Sequence, residues 1–212
     1  MDTLQAIAES LKEGQAAKVK ELTQAALDEG MSASDVLDNG LIAGMTVVGK
    51  LFKENEVFLP EVMMSAKAMD AGMTVLEPIL LKGGKRESKG KIVLGTVQGD
   101  VHSIGKNLVG ICLRGAGFDV TDLGVNIPTE KFVEAAKNGA QIIGMSALLT
   151  TTMQHMEPVI EALDKAGLKD KVKTIIGGCI VTQQYADSIG ADGYATDAGS
   201  AVDKAKELMG LA

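Results

Sequence analysis

The sequence predicts an α/β chain in two parts, an N-terminal four-helix bundle over residues 1–88 and a C-terminal domain over residues 89–212 built on a five-stranded parallel sheet. Up to about residue 82, apolar residues recur at helical spacing and no stretch alternates as a strand does. Residues 82–91, KGGKRESKGK, are glycine-rich and charged and carry no large apolar side chain, the composition of a linker. Beyond them, short apolar runs alternate with helical stretches, the order expected of a doubly wound sheet.

In the first part, Leu4, Ile7, Ala8 and Leu11 share one helical face, as do Val19, Leu22, Ala26 and Leu27. Ser32 and Ser34 are candidate caps for a third helix, DVLDNGLIAGMTVVGKLFKE, whose Leu37, Leu41, Met45, Val48 and Phe52 lie to one side. After a break at ENEVF, Pro60 suits the first turn of a fourth helix, and Pro78 is expected to kink or end it. Short turns between four such helices suggest a small bundle. The fourth helix concentrates four of the chain's eleven methionines, Met63, Met64, Met69 and Met73, a soft surface that could fill an irregular core or line a large apolar ligand.

In the second part, the runs KIVLGTV, FDVTDLG, QIIGMSAL, VKTIIGG and a weaker DGYAT are the strands, with helices beginning near Ser103, Thr129, Thr152, Val181 and Ala198. A flavodoxin/Rossmann-like sheet of this kind binds ligands beyond its strand C-termini, where the strand order reverses. In a flavodoxin-like order that point lies between the loops after strands one and three, here GDVHSIG and SALLTTT.

Composition limits the partners. The 212 residues are 46% apolar and 23% charged, ordinary for a globular protein. A net charge of −7, four Phe, two Tyr and no Trp argue against nucleic acid. No apolar run approaches a membrane span, and the acidic, amphipathic N-terminus lacks the pattern of a signal peptide. Cys112 and Cys179 form no C-x-x-C and read as small core residues in a reducing compartment, so the expectation is a cytoplasmic protein.

GDVHSIGK (residues 99–106) resembles a phosphate loop but departs from it in two ways. Five residues separate Gly99 from Gly105 where a P-loop has four, and Asn107 stands where its Ser or Thr would hold magnesium. No G-x-G-x-x-G accompanies it, although a phosphate could still rest on the helix N-terminus. Asp100 and His102 could be an acid–base pair, but no G-x-S-x-G nucleophile elbow is present. Two His and two scattered Cys make a four-ligand zinc site hard to assemble. His102 could simply cap the following helix. It could equally give one nitrogen to a metal whose other ligands come from a macrocycle, with Asp100 holding the second ring nitrogen.

Asp100, His102 and Gly105 (D-x-H-x-x-G), then Ser146 and Leu148 (S-x-L), then Gly177 and Gly178, resemble in order and spacing the cobalamin-binding domain of methionine synthase and its relatives. The helical half, above all LFKENEVFLPEVMMSAKAM, is similar to that family's cap domain, so the resemblance covers nearly the whole chain. It implies cobalamin or a related corrinoid, with His102 as lower axial ligand of cobalt after the dimethylbenzimidazole has left. It further implies that Thr152 hydrogen-bonds Asp100, in place of the family's serine. Gly99, Val101, Ser103, Ile104 and Gly105 would line the loop. Ser146 and Thr150 would touch the buried nucleotide tail, with Leu148 as apolar wall. Gly177 and Gly178 would let backbone approach the tail, and Ala198 would contact it. Phe58, Val62, Met63 and Met69 are the candidates for shielding the upper face.

The same resemblance implies a methyl-carrying corrinoid protein whose cobalt cycles between Co(I) and methyl-Co(III). One partner would be a substrate-specific methyltransferase, drawing on a methyl aryl ether (an O-demethylase system), methanol, a methylamine or betaine. A second methyltransferase would deliver the methyl group to tetrahydrofolate or a thiol such as coenzyme M, and a reductive activating protein would rescue Co(II). With a bundle and one α/β domain filling 212 residues, the expectation is a free-standing carrier without catalytic residues of its own. A cobalamin-based sensor is the alternative. A receiver-like module would need an acidic phospho-acceptor after strand three, where SALLTTT has none.

Overall fold

The computed structural model describes residues 2–82 and 88–211. Its contacts divide the chain into two compact units, residues 1–88 with 115–117 and residues 89–114 with 118–212. Half of the expected linker, residues 83–87, lies outside the described residues.

The helical unit comprises α1 (Thr3–Lys12), α2 (Ala16–Asp28), a helical run made of α3 (Ala33–Asp35), a π-helical segment (Val36–Ile42) and α4 (Ala43–Lys53), and α5 (Leu59–Lys82). Ile7 and Leu11, Val19 and Ala26, Leu37 and Leu41, and Met45 and Val48 are buried, as their spacing predicts. Ser32 caps the third run by accepting the Asp35 N–H at 3.1 Å. The sequence expects one regular helix there, and the structure inserts the π-helical segment Val36–Ile42. Small residues let α1 pack close to this run. A Cβ on Gly44 would lie 2.8 Å from the Ala8 carbonyl oxygen, and one on Gly40 would lie 3.2 Å from Ile7. Pro60 sits in the first turn of α5 as expected, but Pro78 does not end the helix, which continues to Lys82.

The second unit is a five-stranded, wholly parallel sheet in the order β2-β1-β3-β4-β5. The strands are β1 (Lys91–Thr96), β2 (Asp119–Asp122), β3 (Ile142–Ser146), β4 (Lys173–Gly177) and β5 (Gly193–Ala195). Between and after them run α6 (Ile104–Gly115), α7 (Thr129–Lys137), α8 (Thr150–Met153), α9 (Met156–Lys165), α10 (Gln183–Ile189) and α11 (Ala198–Leu208). Burial on both faces explains why β1 and β3 read as unbroken apolar runs. Val93, Val97, Ile143, Met145 and Ile176 form one core with Phe132, Met156, Val159 and Ile160 of α7 and α9. On the opposite face Leu94 packs against Gly110 of α6, and Gly193 against Lys204 of α11. The strand order reverses between β1 and β3, so their C-terminal loops flank the crevice. Among the described residues no helix is long and apolar enough to cross a membrane.

Candidate functional site

The loop after β1 is organised by one buried carboxylate. Gly99 takes a positive φ of 82°, which a residue with a Cβ adopts only under strain, and the chain then turns Asp100 inward until it is fully buried. Asp100 accepts four hydrogen bonds. Its Oδ1 accepts the His102 backbone N–H at 3.0 Å and ring Nδ1 at 2.7 Å. Its Oδ2 accepts the Leu148 N–H at 2.8 Å and the Thr152 hydroxyl at 2.7 Å. Burial pushes the carboxyl's pKa up, but the bonds from Thr152, the Leu148 and His102 N–H groups and the imidazole outweigh it and hold the group well below the ordinary value of 3.8. Asp100 is therefore ionised, and the Asp100–Thr152 contact expected from the resemblance is present.

An ionised carboxylate can only accept, so Nδ1 carries the proton of the neutral imidazole and Nε2 presents a lone pair. The ring is 47% exposed, and Asp100 is its hydrogen-bond partner; it does not cap α6. The buried Thr96 hydroxyl, 2.8 Å from the His102 carbonyl, holds the backbone beneath it. The loops after β1 and β3 also carry apolar side chains turned to solvent: Val101, 69% exposed, Ile104, 73% exposed, and Leu148 and Leu149. Exposed aliphatic side chains on the two loops that hold a solvent-facing ring nitrogen are consistent with a ligand surface.

Behind the loop the sheet supplies a floor of small side chains. Thr96, Ser146, Gly177 and Ala195 pair in register across four strands, so they share one face at the carboxyl edge, the face covered by α6 and α11. Ala198 opens α11, Thr150 opens α8 and is exposed, and Ser103 immediately precedes α6. A Cβ on Gly105 would meet nothing within 4 Å, which leaves room there for a ligand. Gly177 and Gly178 have a reason of their own that differs from the expected one. A Cβ on Gly177 would lie 2.9 Å from the Ala195 oxygen, and one on Gly178, at φ 130°, 1.9 Å from the Ala147 oxygen. These glycines are required by the neighbouring protein backbone, whatever the ligand.

The candidates on α5 and just before it split into two groups. Val62 and Met69 are buried, on the stripe that also holds Ser65, Gly72 and Leu76. They are core residues of the helical unit, which removes them as a free apolar face. Phe58, 62% exposed, and Met63 face solvent, with Met64 beside them. Cys112 is buried as expected, with its thiol pushed up to about 11 by burial and the charge of Asp197, but Cys179 is exposed on the loop after β4 and is not a core residue.

Two supports escape the sequence reading. Asn126, in the β2–α7 connection, donates its N–H to the Asp100 carbonyl at 2.8 Å, and its Oδ1 accepts the Gly99 N–H at 2.7 Å. Lys106, the residue that makes the loop look like a P-loop, is buried and ion-paired with Asp122. Nothing near either residue in sequence signals these partners, because β2 reaches the loop only through the sheet.

Among the described residues no group of three or more His, Cys, Asp and Glu could hold a metal. His102 is thus a single nitrogen donor, suited to an ion that brings its other ligands with it. The apolar surround of Nε2, the open space at Gly105 and the row of small side chains fit a flat, largely apolar macrocycle with an appended tail. Comparison with known proteins agrees. Residues 90–203 match one B12 binding domain model and residues 3–77 a second. A corrinoid protein of Desulfitobacterium hafniense is 47% identical over 213 residues, 99% of each chain. Dimethylamine corrinoid protein 1 of Methanosarcina mazei is 51% identical over 180 residues, covering 84% of this chain and 83% of that one. The crystal structure of a methanol:cobalamin methyltransferase complex from Methanosarcina barkeri superposes with a TM-score of 0.89 at 34% identity, covering 99% of this chain and 80% of that one. The chain belongs to the cobalamin-binding corrinoid proteins of methyltransferase systems.

Proposed function

We propose that this protein carries a methyl group on its corrinoid from a substrate-specific methyltransferase to a second methyltransferase, with His102 as the lower axial ligand of cobalt. The observation that carries the reading is the chain Thr152–Asp100–His102, which ends in an unpartnered Nε2 among exposed apolar side chains. When bound, the corrinoid supplies a cobalt centre that takes up and gives up a methyl group as its axial coordination changes. The protein's part is to offer a base that can engage and leave. Asp100 keeps the proton on Nδ1, so Nε2 is the nitrogen whose lone pair would be offered to cobalt. Thr152 and the Leu148 N–H keep the carboxylate ionised.

Val101, Ile104 and Leu148 would pack against the macrocycle. Gly99, Ser103 and Gly105 would give it room. Ser146, Thr150 and Ala198 would touch the tail along the floor that Gly177 and Gly178 keep narrow. Phe58 and Met63 would shield the opposite face. The relatives' names favour a small methylated donor, since one is a dimethylamine corrinoid protein and another belongs to a methanol:cobalamin methyltransferase complex. Methanol and methylamines are therefore the leading classes, ahead of methyl aryl ethers and betaine. Tetrahydrofolate or a thiol such as coenzyme M would be the acceptor, reached through the second methyltransferase. A separate reductive activator would return oxidised cobalt to use.

The carrier role is tested by reducing the cobalamin-loaded protein to Co(I) and adding donor with and without a purified donor-specific methyltransferase. Methylation that requires the partner is expected. Equally fast methylation by the donor alone would make the protein an enzyme in its own right and overturn the reading.

A further inference from the structure

We propose that Asn126 is a positioning residue for the axial-ligand loop, fixing Gly99 and Asp100 from the β2–α7 connection and so setting how readily His102 engages cobalt. The inference rests on the reading of His102 as axial ligand.

The position of Nε2 depends on Asp100, which holds both the His102 ring and its backbone N–H. Asp100 in turn needs a fixed backbone, and Asn126 grips it on both sides. The Asn126 N–H donates to the Asp100 carbonyl, while its side-chain oxygen accepts the N–H of the residue before, Gly99. Two bonds from one residue to the peptide units on either side of the Gly99–Asp100 peptide restrain rotation of the loop as well as its displacement.

The clamp is itself anchored to β1. The Ile127 N–H donates to the Thr96 carbonyl at 2.9 Å, the Thr96 N–H donates to the Gly124 carbonyl at 3.0 Å, and Val97 and Ile127 form a parallel bridge. The far end of the loop is tied to the same connection, through the ion pair of buried Lys106 with Asp122 and the Asp122 bond to the Gly124 N–H at 2.8 Å.

The backbone at Asn126 strengthens the case. Its φ is 55°, and with Asn55 it is one of two non-glycine residues with positive φ among the described residues. Glycine would take that conformation without strain, and asparagine tolerates it at some cost. What asparagine adds at this position is the side-chain oxygen on Gly99.

The test loads the whole chain with hydroxocobalamin, reduces it to Co(II) and reads the electron paramagnetic resonance spectrum, where an axial nitrogen splits the cobalt lines into triplets. Asn126→Gly keeps the backbone conformation and removes only the side-chain acceptor. It is expected to lower the ratio of His-ligated to unligated cobalt about fivefold, the effect of one hydrogen bond. Asn126→Asp, which restores an acceptor, is expected to return the ratio to within about twofold of wild type. A merely structural role would lower the melting temperature of the Gly variant and leave the ratio unchanged, which overturns the proposal. It is overturned equally if the Asp variant behaves like the Gly variant. His102→Ala must abolish the triplets. If wild type shows none, the axial-ligand reading itself fails, an outcome distinct from failure of the Asn126 proposal.

Discussion

The loop after β1 and the start of α5 carry the two groups of residues that the corrinoid reading depends on, and they are built on opposite principles. In the loop the polar groups around Asp100 are paired: Asp100 accepts four hydrogen bonds, Asn126 holds its backbone, and Thr96 holds His102 from below. On and before α5, Phe58, Met63 and Met64 project into solvent. A ligand atom that must meet a metal needs one geometry, which directional bonds in a buried setting provide. Soft apolar side chains that no internal bond commits suit instead a surface that adapts to what it meets. Mutations should therefore cost stability in the first region and little in the second.

The largest effect is expected at Gly178, where an alanine Cβ would have to share space with the Ala147 carbonyl at 1.9 Å. Gly178→Ala should destabilise the protein without cofactor by about 3 kcal/mol or more in urea denaturation. Gly105→Ala, whose Cβ meets no neighbour, should change stability by under about 0.5 kcal/mol. Similar costs at both glycines would break the account of the floor.

Next comes Asp100→Asn, which leaves the Leu148 N–H, the Thr152 hydroxyl and the imidazole with a poorer acceptor. A cost of about 2–3 kcal/mol is expected at pH 7. The folded carboxyl titrates below its ordinary value of 3.8, so its stabilisation is complete above that value and is lost as pH falls toward the folded one. The gap between wild type and variant, followed by chemical denaturation, should accordingly be constant near neutrality and narrow below about pH 4. A gap that widens on acidification would contradict the hydrogen-bonded carboxylate.

In the helical unit, Gly44→Ala forces α1 and α4 apart at the Ala8 carbonyl, 2.8 Å from the added Cβ, and should cost about 1–2 kcal/mol. The smallest effect sharpens the comparison most. Phe58→Ala and Met63→Ala should each shift the stability of the cofactor-free protein by less than about 0.5 kcal/mol, because both side chains are exposed. A loss of several kcal/mol at either would mean that the surface is structural.

The contrast also marks what could be read from the chain. The strands were visible because β1 and β3 are buried on both faces and leave unbroken runs such as Ile92-Val93-Leu94. The Asp100, His102 and Thr152 set was visible because its spacing matches a family pattern, and the structure brings the three together. Helical periodicity locates α5 but does not say which of its stripes is buried, and the resemblance groups Val62 and Met69, which are buried, with Phe58 and Met63, which are exposed. Asn126 was invisible for a different reason. Its contacts arise from the neighbouring of β1 and β2, and its left-handed backbone leaves no local signature beyond an asparagine that tolerates it. The exposure of Cys179 could not be inferred from how often cysteines are buried, because it follows from its place in the loop after β4.

The central claim is that His102 gives its Nε2 to the cobalt of the bound corrinoid. It is tested most directly by reconstituting the protein with cobalamin and recording the absorption and Co(II) resonance spectra of wild type and His102→Ala. The account predicts a base-off, histidine-ligated spectrum for wild type and its loss, with cobalamin still bound, in the variant. An unaltered spectrum in His102→Ala would contradict it.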